Sequence, residues 1–445
     1  MKIKNIRVID PVNRTDTVRD ICILNGIFVS EEEYQKYEIS RPESPAAANG
    51  VNDDDLMTID GDGLIAGPGL VDVHVHFRDP GQTYKEDIHT GALAAAAGGF
   101  TSVVMMANTV PALDEPGIIK DVLKRASKED IRIYTCANVT KSMNGKELCD
   151  YGALLDAGAV GFTDDGKPLM DEALLAKAFD EISKLGVPVS LHEEDPAYIS
   201  ENGVNSGGAA HLLGLKGSDR RAEISMIERD LKIAQKSGVK LNIQHISTAE
   251  GVELVRKAKK TNPFIHAEAT PHHFTLTDSA VKEHGTLAKM NPPLRGEDDR
   301  EAIWEGLSDG TIDIIATDHA PHSSEEKSRE FKEAPSGITG LETSFLLAYS
   351  VLIKRDILDY TKLFELMSTN PARLYGLSAG TLSVGAPADI MIFSPDEFTT
   401  YTSSRSKSEN TPFLGRTLEG KIRYTICGGN IVYSAGSQAQ DGLTD

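Results

Sequence analysis

The feature of this sequence that most constrains its fold is an alternation of short apolar runs with amphipathic segments, from about residue 71 to 375. Runs with the length and composition of buried strands lie at 71–77, 101–107, 131–137, 159–163, 187–192, 239–245, 264–270 and 312–317. Segments between them, such as 171–186, space apolar residues three and four apart and end at a glycine, which is typical of helices. Strands and helices that alternate in this way predict an α/β fold, a (β/α)8 barrel. A doubly wound open sheet is the alternative, but no GxGxxG motif follows a first strand.

The two ends of the chain have a different pattern from the middle. Residues 1–65 and 376–445 consist of short strand-like runs and turns, so we expect them to pair into one composite β domain, a small β-sandwich. The barrel would then comprise residues 66–375. Residues 30–55 interrupt the first end with acidic residues, prolines and an Asn-Gly pair, and this composition predicts a polar surface insertion with little fixed structure.

Composition limits the partners and the location of the protein. Hydrophobic residues make up 40% and charged residues 25% of the 445 residues, as in soluble globular proteins with a large core. The net charge of −21 argues against nucleic acid or membrane as a partner, but a small anionic substrate stays compatible with it, because local positive charge can outweigh the total. A cytoplasmic location is expected, since the four cysteines form no CxxC pair and the first residues lack an apolar signal core.

Polar residues at the ends of the predicted strands are the candidate site. His74 and His76, in the stretch VDVHVHFRDPG, lie two residues apart on a strand and therefore share one face, where two imidazoles can bind a metal ion. Functional residues of a (β/α)8 barrel lie at the C-terminal ends of its strands. That rule selects His74, His76, Asn108, Asp164, Asp165, His192, His245 and Asp318.

The histidines and aspartates of this set exceed the three protein ligands that one catalytic zinc ion takes. Two zinc ions about 3.5–4 Å apart, joined by a bridging carboxylate, account for the surplus. We expect the two histidines of the first strand and Asp318 on one ion, and His192 and His245 on the other. Either Asp164 or Asp165 would bridge them.

A series of motifs in consistent order resembles the amidohydrolase superfamily, and within it the family of class I, bacterial-type dihydroorotases. The motifs are GLVDVHVHFRDPG, GGFTSVVMMANT, GFTDDG, HEED, QHIS, TPHH, NPPLR, ATDHAPH, GLET and NTPFLG. The resemblance implies a zinc-dependent cyclic amidohydrolase that reversibly hydrolyses the ring amide of (S)-dihydroorotate to N-carbamoyl-L-aspartate in pyrimidine biosynthesis. It also implies a homodimer and an association with aspartate transcarbamoylase.

Carried over position by position, the resemblance implies the roles of individual residues. The implied metal ligands are His74, His76, Asp165, His192, His245 and Asp318, with Asp165 as the bridge. The implied substrate contacts are His76, Arg78, Asn108, Asn291, His322, Ser336 and Gly337. Ser336 stands where a common form of the family has an aromatic residue, and Ala107 stands where proline is usual.

The residues themselves suggest how this chemistry works. Zinc lowers the pKa of bound water to about 7, so a metal-bridged hydroxide can attack the ring amide carbonyl. Asp318 can take the hydroxide proton as general base and pass it to the leaving nitrogen as general acid. Arg78 has a planar fork suited to a carboxylate and lies on the same side of an extended chain as His76, which favours an anionic substrate.

Two other functions are open to such a chain. One is a cyclic amidase for a different ring, such as a hydantoinase, dihydropyrimidinase or allantoinase; Arg78 and Asn108 argue against it. So does Lys167, which lies beyond a glycine, since hydantoinase-like relatives use a carboxylated lysine at the end of the fourth strand. The other is a non-catalytic scaffold, but such proteins lose metal ligands and none is missing here. The charged segment 323–335 predicts a mobile lid over the substrate, with a solvated loop as the alternative.

Overall fold

The computed structural model describes residues 1–40 and 57–436. The strands near the chain ends are β1 to β5, at Lys2–Asp10, Thr15–Leu24, Ile27–Val29, Thr58–Asp60 and Ile65–Pro68, and β13 to β15, at Ile390–Thr400, Thr417–Cys427 and Asn430–Ser434. The strands between them are β6 to β12, at Leu70–Val75, Phe100–Met105, Arg132–Thr135, Pro188–Leu191, Lys240–Ile243, Ile265–Ala269 and Ile314–Ile315.

Both chain ends contribute to one sheet of order β15-β14-β13-β5-β1-β2-β3, in which β4 also pairs with β1. Strand β5 is the junction, because it pairs parallel with β1 and antiparallel with β13. Strand β5 thus joins the strands of both ends into one hydrogen-bonded sheet, and the packing of this sheet as a sandwich stays a prediction. Its buried aliphatic side chains, among them Ile3, Val8, Ile390 and Ile392, form a hydrophobic cluster of their own.

Helix α1, Glu31–Ser40, lies within the segment that was expected to have little fixed structure. That expectation is wrong for residues 31–40 because the helix has a reciprocal cap: Glu33 N donates to Ser30 Oγ at 3.2 Å, and Ser30 N donates to the Glu33 carboxylate at 2.9 Å. Tyr34 anchors the helix and is buried. The rest of the predicted insertion, 41–55, lies outside the described residues.

The central strands form two parallel sheets, β6-β7-β8 and β12-β11-β10-β9, which confirms the α/β prediction. The fourth predicted strand, 159–163, makes only isolated bridges, from Phe162 to Ala137 and to Val189. Val160 N donates to Thr135 O and Thr163 N to Ala137 O, so three residues oppose two and a bulge interrupts the ladder. A parallel bridge between Val75 and His319 connects β6 to the chain beyond β12.

Helices connect and flank the central strands. They are α2 to α15, at Ile88–Ala97, Pro116–Ala126, Tyr151–Asp156, Glu172–Ser183, Gly208–Leu212, Arg221–Ser237, Ala249–Lys259, Pro271–Thr275, Ala280–His284, Glu297–Asp309, Ser324–Lys327, Leu341–Ala348, Tyr360–Phe364 and Asn370–Tyr375. In α5 the Asp171 side chain caps the first turn, and Leu175, Ala178, Phe179 and Ile182 form the buried face. Across residues 1–40 and 57–436, no helix is long and apolar enough to cross a membrane.

Candidate metal centre and active site

The six predicted metal ligands converge at the C-terminal ends of the parallel strands, and all six are buried. Their ligand atoms form three groups within 4.8 Å: His74 with His76 and Asp165, His74 with His245 and Asp318, and Asp165 with His192 and His245. Asp165 is in the group that contains both histidines of the first strand and in the group that contains His192. It therefore lies where one carboxylate could contact two ions.

The first strand presents two imidazoles to two carboxylates. His76 Nε2 lies 2.9 Å from Asp318 Oδ1, and His74 Nε2 lies 3.4 Å from the same oxygen. Each imidazole is also 3.5 Å from one oxygen of Asp165. The alternation of the strand thus places both rings on one side, as the sequence predicts.

The two consecutive aspartates of the TDDG motif have different roles. Asp165 faces the histidines, whereas Asp164 turns back to accept hydrogen bonds from Asn138, Val139 N and Thr140 N. Burial raises the pKa of Asp164 to about 6, although these donors oppose the shift. The geometry thus separates the two alternatives and favours Asp165 as the bridge.

His192 and His245 form the other side of the cluster. His192 Nδ1 and His245 Nε2 lie 3.0 Å apart, and each is 3.9 Å from Asp165 Oδ1. His192 therefore presents Nδ1 to the centre, whereas the other three histidines present Nε2. The backbone is left-handed at His245, with φ 34°, and also at Arg78 and Asp318, with φ 56° and 46°. Such strain in non-glycine residues is typical of functional sites.

The donor set fits divalent metal ions of the zinc type, which bind imidazole nitrogen and carboxylate oxygen. His74 Nε2 is buried without a hydrogen-bond partner and faces the carboxylates. Burial opposes charge here, yet Asp318 and Asp165 raise the pKa of His74 well above its ordinary value. Two buried carboxylates that draw a proton onto an imidazole form a site that a cation would satisfy.

Three further side chains orient the histidines. His74 Nδ1 lies 3.0 Å from Glu268 Oε2, His76 Nδ1 lies 2.9 Å from Asn108 Oδ1, and His192 Nε2 lies 3.1 Å from Glu194 Oε2. Each partner oxygen can accept a hydrogen bond from one ring N–H, which leaves the other nitrogen free to bind metal. Asn108 was a predicted substrate contact, and its Nδ2 also donates to Asp165 Oδ2 at 3.1 Å.

Sequence reasoning missed Glu268 and Glu194. Glu268 is fully buried in β11, where a carboxylate in an otherwise apolar strand is a signal that could have found it. Glu194 belongs to the HEED motif, of which only His192 was assigned. Asp72 was not assigned either, and it accepts bonds from His74 N and Thr317 N, which link the first and last central strands.

The predicted substrate contacts line one cavity of about 220 Å³ beside the cluster. They are His76, Arg78, Asn108, Asn291, His322, Ser336 and Gly337. Arg78 Nε donates to Pro321 O at 3.3 Å, and its side chain borders the cavity. A guanidinium beside a metal centre can hold a carboxylate while the neighbouring part of a small substrate reacts.

Ser336 and Gly337 reach the cavity from a closely packed loop. Ser336 Oγ donates to Asn291 Oδ1 at 3.1 Å. Gly337 has φ +148°, and a Cβ there would lie 2.8 Å from Ala320 O and from His322 Cδ2, so only glycine fits. Asn410 holds this loop beside its neighbour, because its Nδ2 donates to the carbonyls of Ala320 and Gly337 at 3.0 Å.

The segment 323–335, predicted to act as a lid, packs around two buried lysines. Lys289 Nζ donates to Phe331 O at 2.6 Å and to Ala334 O at 2.7 Å. Lys327 Nζ donates to Pro335 O at 3.0 Å and to Gly337 O at 3.1 Å. These bonds fix the segment next to the cavity, and its motion as a lid stays a prediction.

A sequence profile of the Amidohydrolase family matches residues 65–432, and the chain belongs to this family of hydrolytic enzymes. Its relatives include the dihydroorotase of Clostridioides difficile strain 630, 50% identical over 439 residues, and that of Lactococcus lactis subsp. lactis, 45% identical over 434 residues. Each alignment covers 97% of this chain and 99% of the relative.

Solved structures with a similar fold include hydantoinases and dihydropyrimidinases. L-hydantoinase from Arthrobacter aurescens superimposes with a TM-score of 0.84 at 25% identity, over 98% of this chain and 96% of that one. Dihydropyrimidinase from Brevibacillus agri superimposes with a TM-score of 0.80 at 22% identity, over 98% and 95%. The second likeness bears on the fold alone.

Proposed function

We propose that the chain is a dihydroorotase, which opens and closes the ring amide of (S)-dihydroorotate in pyrimidine biosynthesis. The observation that carries this proposal is Arg78, a carboxylate receptor at the wall of a small cavity that also contains the histidine and aspartate cluster. Full-length relatives with this activity in their names support it. The proposed substrate is small and anionic, which matches the cavity in size and charge.

The proposal includes two Zn²⁺ ions per subunit. One would be held by His74, His76 and Asp318, the other by His192 and His245, with Asp165 shared. When bound, zinc supplies Lewis acidity and makes water a nucleophile at neutral pH. Glu268, Asn108 and Glu194 accept hydrogen bonds from three of the histidines and keep each ring in the tautomer that metal binding requires.

Asp318 is the residue that moves the proton. It lines the cavity, and its backbone conformation, with φ 46°, aims the carboxylate at His76 and the substrate space. Burial alone would raise its pKa, but His74 and His76 hold the pKa well below the ordinary value of a carboxyl group. Asp318 is therefore ionised at neutral pH, accepts a proton from the attacking water and gives it up readily to the leaving ring nitrogen.

The test is hydrolysis of dihydroorotate by the zinc-loaded chain, with hydantoin, dihydrouracil and allantoin as comparison substrates. Arg78→Met should lower kcat/KM for dihydroorotate by roughly 100-fold, since a charge-assisted pair contributes about 3 kcal/mol. Asp318→Ala should abolish turnover. Lys167→Met is the matched control, because Lys167 is exposed on the loop beyond Gly166 and should leave kcat/KM unchanged.

A hydantoinase or dihydropyrimidinase is the second candidate, favoured by the TM-score of 0.84 with L-hydantoinase. Such an enzyme would prefer a ring without a carboxylate, and substitution of Arg78 would leave its kcat/KM unchanged. Preference of the unmutated protein for hydantoin or dihydrouracil over dihydroorotate would therefore overturn the dihydroorotase proposal.

The architecture and the assembly are part of the same proposal. The bridges of Phe162 and of His319 support closure of the central strands into a (β/α)8 barrel of residues 66–375, with a composite β domain from 1–65 and 376–445.

We propose a homodimer that associates with aspartate transcarbamoylase. Analytical ultracentrifugation of the full chain, with and without that enzyme, tests both associations.

A further inference from the structure

Lys85 is a buried lysine behind the wall of the substrate cavity. It is 5% exposed, and its Nζ lies 3.3 Å from His322 Nδ1 and 3.3 Å from Glu326 Oε1. It does not line the cavity, whereas His322 does. The surrounding chain fixes this lysine, since Ser408 Oγ donates to its carbonyl at 2.6 Å and Tyr84 Oη donates to Glu326 at 2.9 Å.

The contacts of His322 define its tautomer. Its Nε2 lies 2.9 Å from Ser336 O, which can only accept a hydrogen bond, so Nε2 carries the proton. Its Nδ1 faces the Lys85 ammonium, which can only donate, so Nδ1 offers its lone pair. Burial and the charges of Arg78, Lys85 and Lys327 lower the pKa of His322 to about 2, so the ring is neutral with one N–H.

Without the ammonium, a second tautomer becomes available to this ring. Glu326 Oε2 lies 3.5 Å from His322 Nδ1 and would accept a proton carried there. That tautomer turns the Nε2 lone pair toward the cavity side, where it repels both the Ser336 carbonyl and any carboxylate. Lys85 opposes this arrangement because an ammonium and an Nδ1 proton cannot share the same 3.3 Å contact.

Lys85 also adds positive charge beside the cavity-lining His322. Burial and the nearby Arg78 lower the pKa of Lys85, and Glu326 is the carboxylate that bonds it among the described residues. Two cations and an imidazole donor around one end of the cavity make an anion receptor. Five of the six candidate metal ligands also line this cavity.

We propose that Lys85 is a specificity-determining positioning residue: it fixes His322 so that Nε2–H is available to the carboxylate of the ring substrate. This inference rests on the proposed function. On binding, the substrate carboxylate takes over the hydrogen bond that His322 Nε2–H now donates to Ser336 O. Lys85 acts through His322 and touches neither the substrate nor the reacting amide.

The first test is a double-mutant cycle on dihydroorotate turnover. Lys85→Met should raise KM about 10- to 100-fold, the loss of one hydrogen bond to a charged group, with kcat changed less than about 3-fold. Lys85→Gln should raise KM less, because a neutral amide can still donate to Nδ1. In a His322→Gln background, Lys85→Met should change KM less than about 2-fold, since the residue through which it acts is gone.

Controls separate this role from folding and from general charge. Both Lys85 variants should keep the zinc content and the melting temperature of the unmutated chain, and Lys167→Met should leave KM unchanged. A folded, zinc-loaded Lys85→Met with unchanged KM would overturn the inference, as would the same KM increase in the His322→Gln background.

The second test uses the unmutated protein and needs no Lys85 variant. In ¹⁵N NMR of histidine-labelled chain, the His322 signals, assigned by their loss in His322→Gln, should show a protonated Nε2 and an unprotonated Nδ1. A protonated Nδ1 would refute the inference. Failure of the proposed function is distinguishable, because it appears as lack of dihydroorotate turnover in the unmutated chain while the tautomer is still measured.

Discussion

Glu268→Gln is the substitution that most directly probes how the fold prepares His74 for a metal ion. The fully buried carboxylate accepts from His74 Nδ1 at 3.0 Å and from Asn242 Nδ2 at 2.5 Å. Glutamine has the same shape but one oxygen fewer. Whichever way its amide is turned, a donor faces a donor: either His74 Nδ1–H or the Asn242 amide.

Either orientation has a cost that the structure defines. If the new amide nitrogen faces His74, the ring must carry its proton on Nε2, the atom that points at Asp165 and Asp318. If it faces Asn242, that side chain must rotate, which leaves its nitrogen where Oδ1 now lies buried without a partner. Loss of one buried bond to a charged group costs about 1.5–3 kcal/mol, which corresponds to roughly 10- to 150-fold weaker zinc binding.

The assay strips the protein with a chelator and titrates it with Zn²⁺ against a chromophoric competitor. Combining Glu268→Gln with Asn242→Asp exchanges donor and acceptor while keeping the net charge, so it should recover most of the lost affinity. Glu342→Gln is the matched control, a largely buried carboxylate that bonds Tyr401 at 3.1 Å, away from the cluster. Unchanged zinc affinity in Glu268→Gln, or no recovery in the double variant, would refute the reasoning.

Two further predictions concern the loop that carries the substrate contacts. Burial lowers the pKa of Lys327 from 10.5 to about 7. Above pH 7 its side chain is neutral in the folded chain, whereas in the unfolded chain it keeps its proton up to about pH 10.5. The free energy of unfolding should therefore rise by about 2 kcal/mol from pH 7 to 9 and lose this contribution as the pH falls back to 7. Lys327→Met should remove this rise in urea titrations, and parallel pH curves for both proteins would contradict it. Gly337→Ala should raise KM on the order of 10-fold, because its Cβ would displace His322, whereas Gly214→Ala, which has a positive φ but open space around it, should leave KM unchanged.

The convergence of the candidate ligands could be predicted because parallel strands bring their C-terminal ends to one place. His74, His192 and Asp318 are far apart in sequence, yet His74 lies near the end of β6, and the other two follow β9 and β12. The choice between Asp164 and Asp165 could not be made from spacing, since it depends on the backbone amides of 139 and 140 that bind Asp164. Strand patterns place residues at an edge, but they do not say which side chain a neighbouring loop will engage.

One outer partner of the site, Lys85, was beyond the reach of the sequence for a related reason. Lys85 reads as one charge in a polar turn, and only the tertiary fold brings it to His322, far along the chain. Residues 31–40 of the predicted insertion were misjudged because a count of acidic residues predicts a solvated segment, whereas the cap at Ser30 and the burial of Tyr34 stabilise a helix. Composition describes the average of a segment, and single contacts decide its structure.

The position of β5 has a consequence for how the chain is made. Pro68 pairs with Ile390, roughly 320 positions later, and only Gly69 separates β5 from the strand that carries His74. During synthesis, the edge of β5 that pairs with β13 stays uncovered until nearly the whole polypeptide has been made. Contacts of such long range slow folding, so β5, the neighbour in sequence of the strand with the first candidate metal ligands, is completed among the last. A chain that stops before β13 leaves that edge open to another molecule.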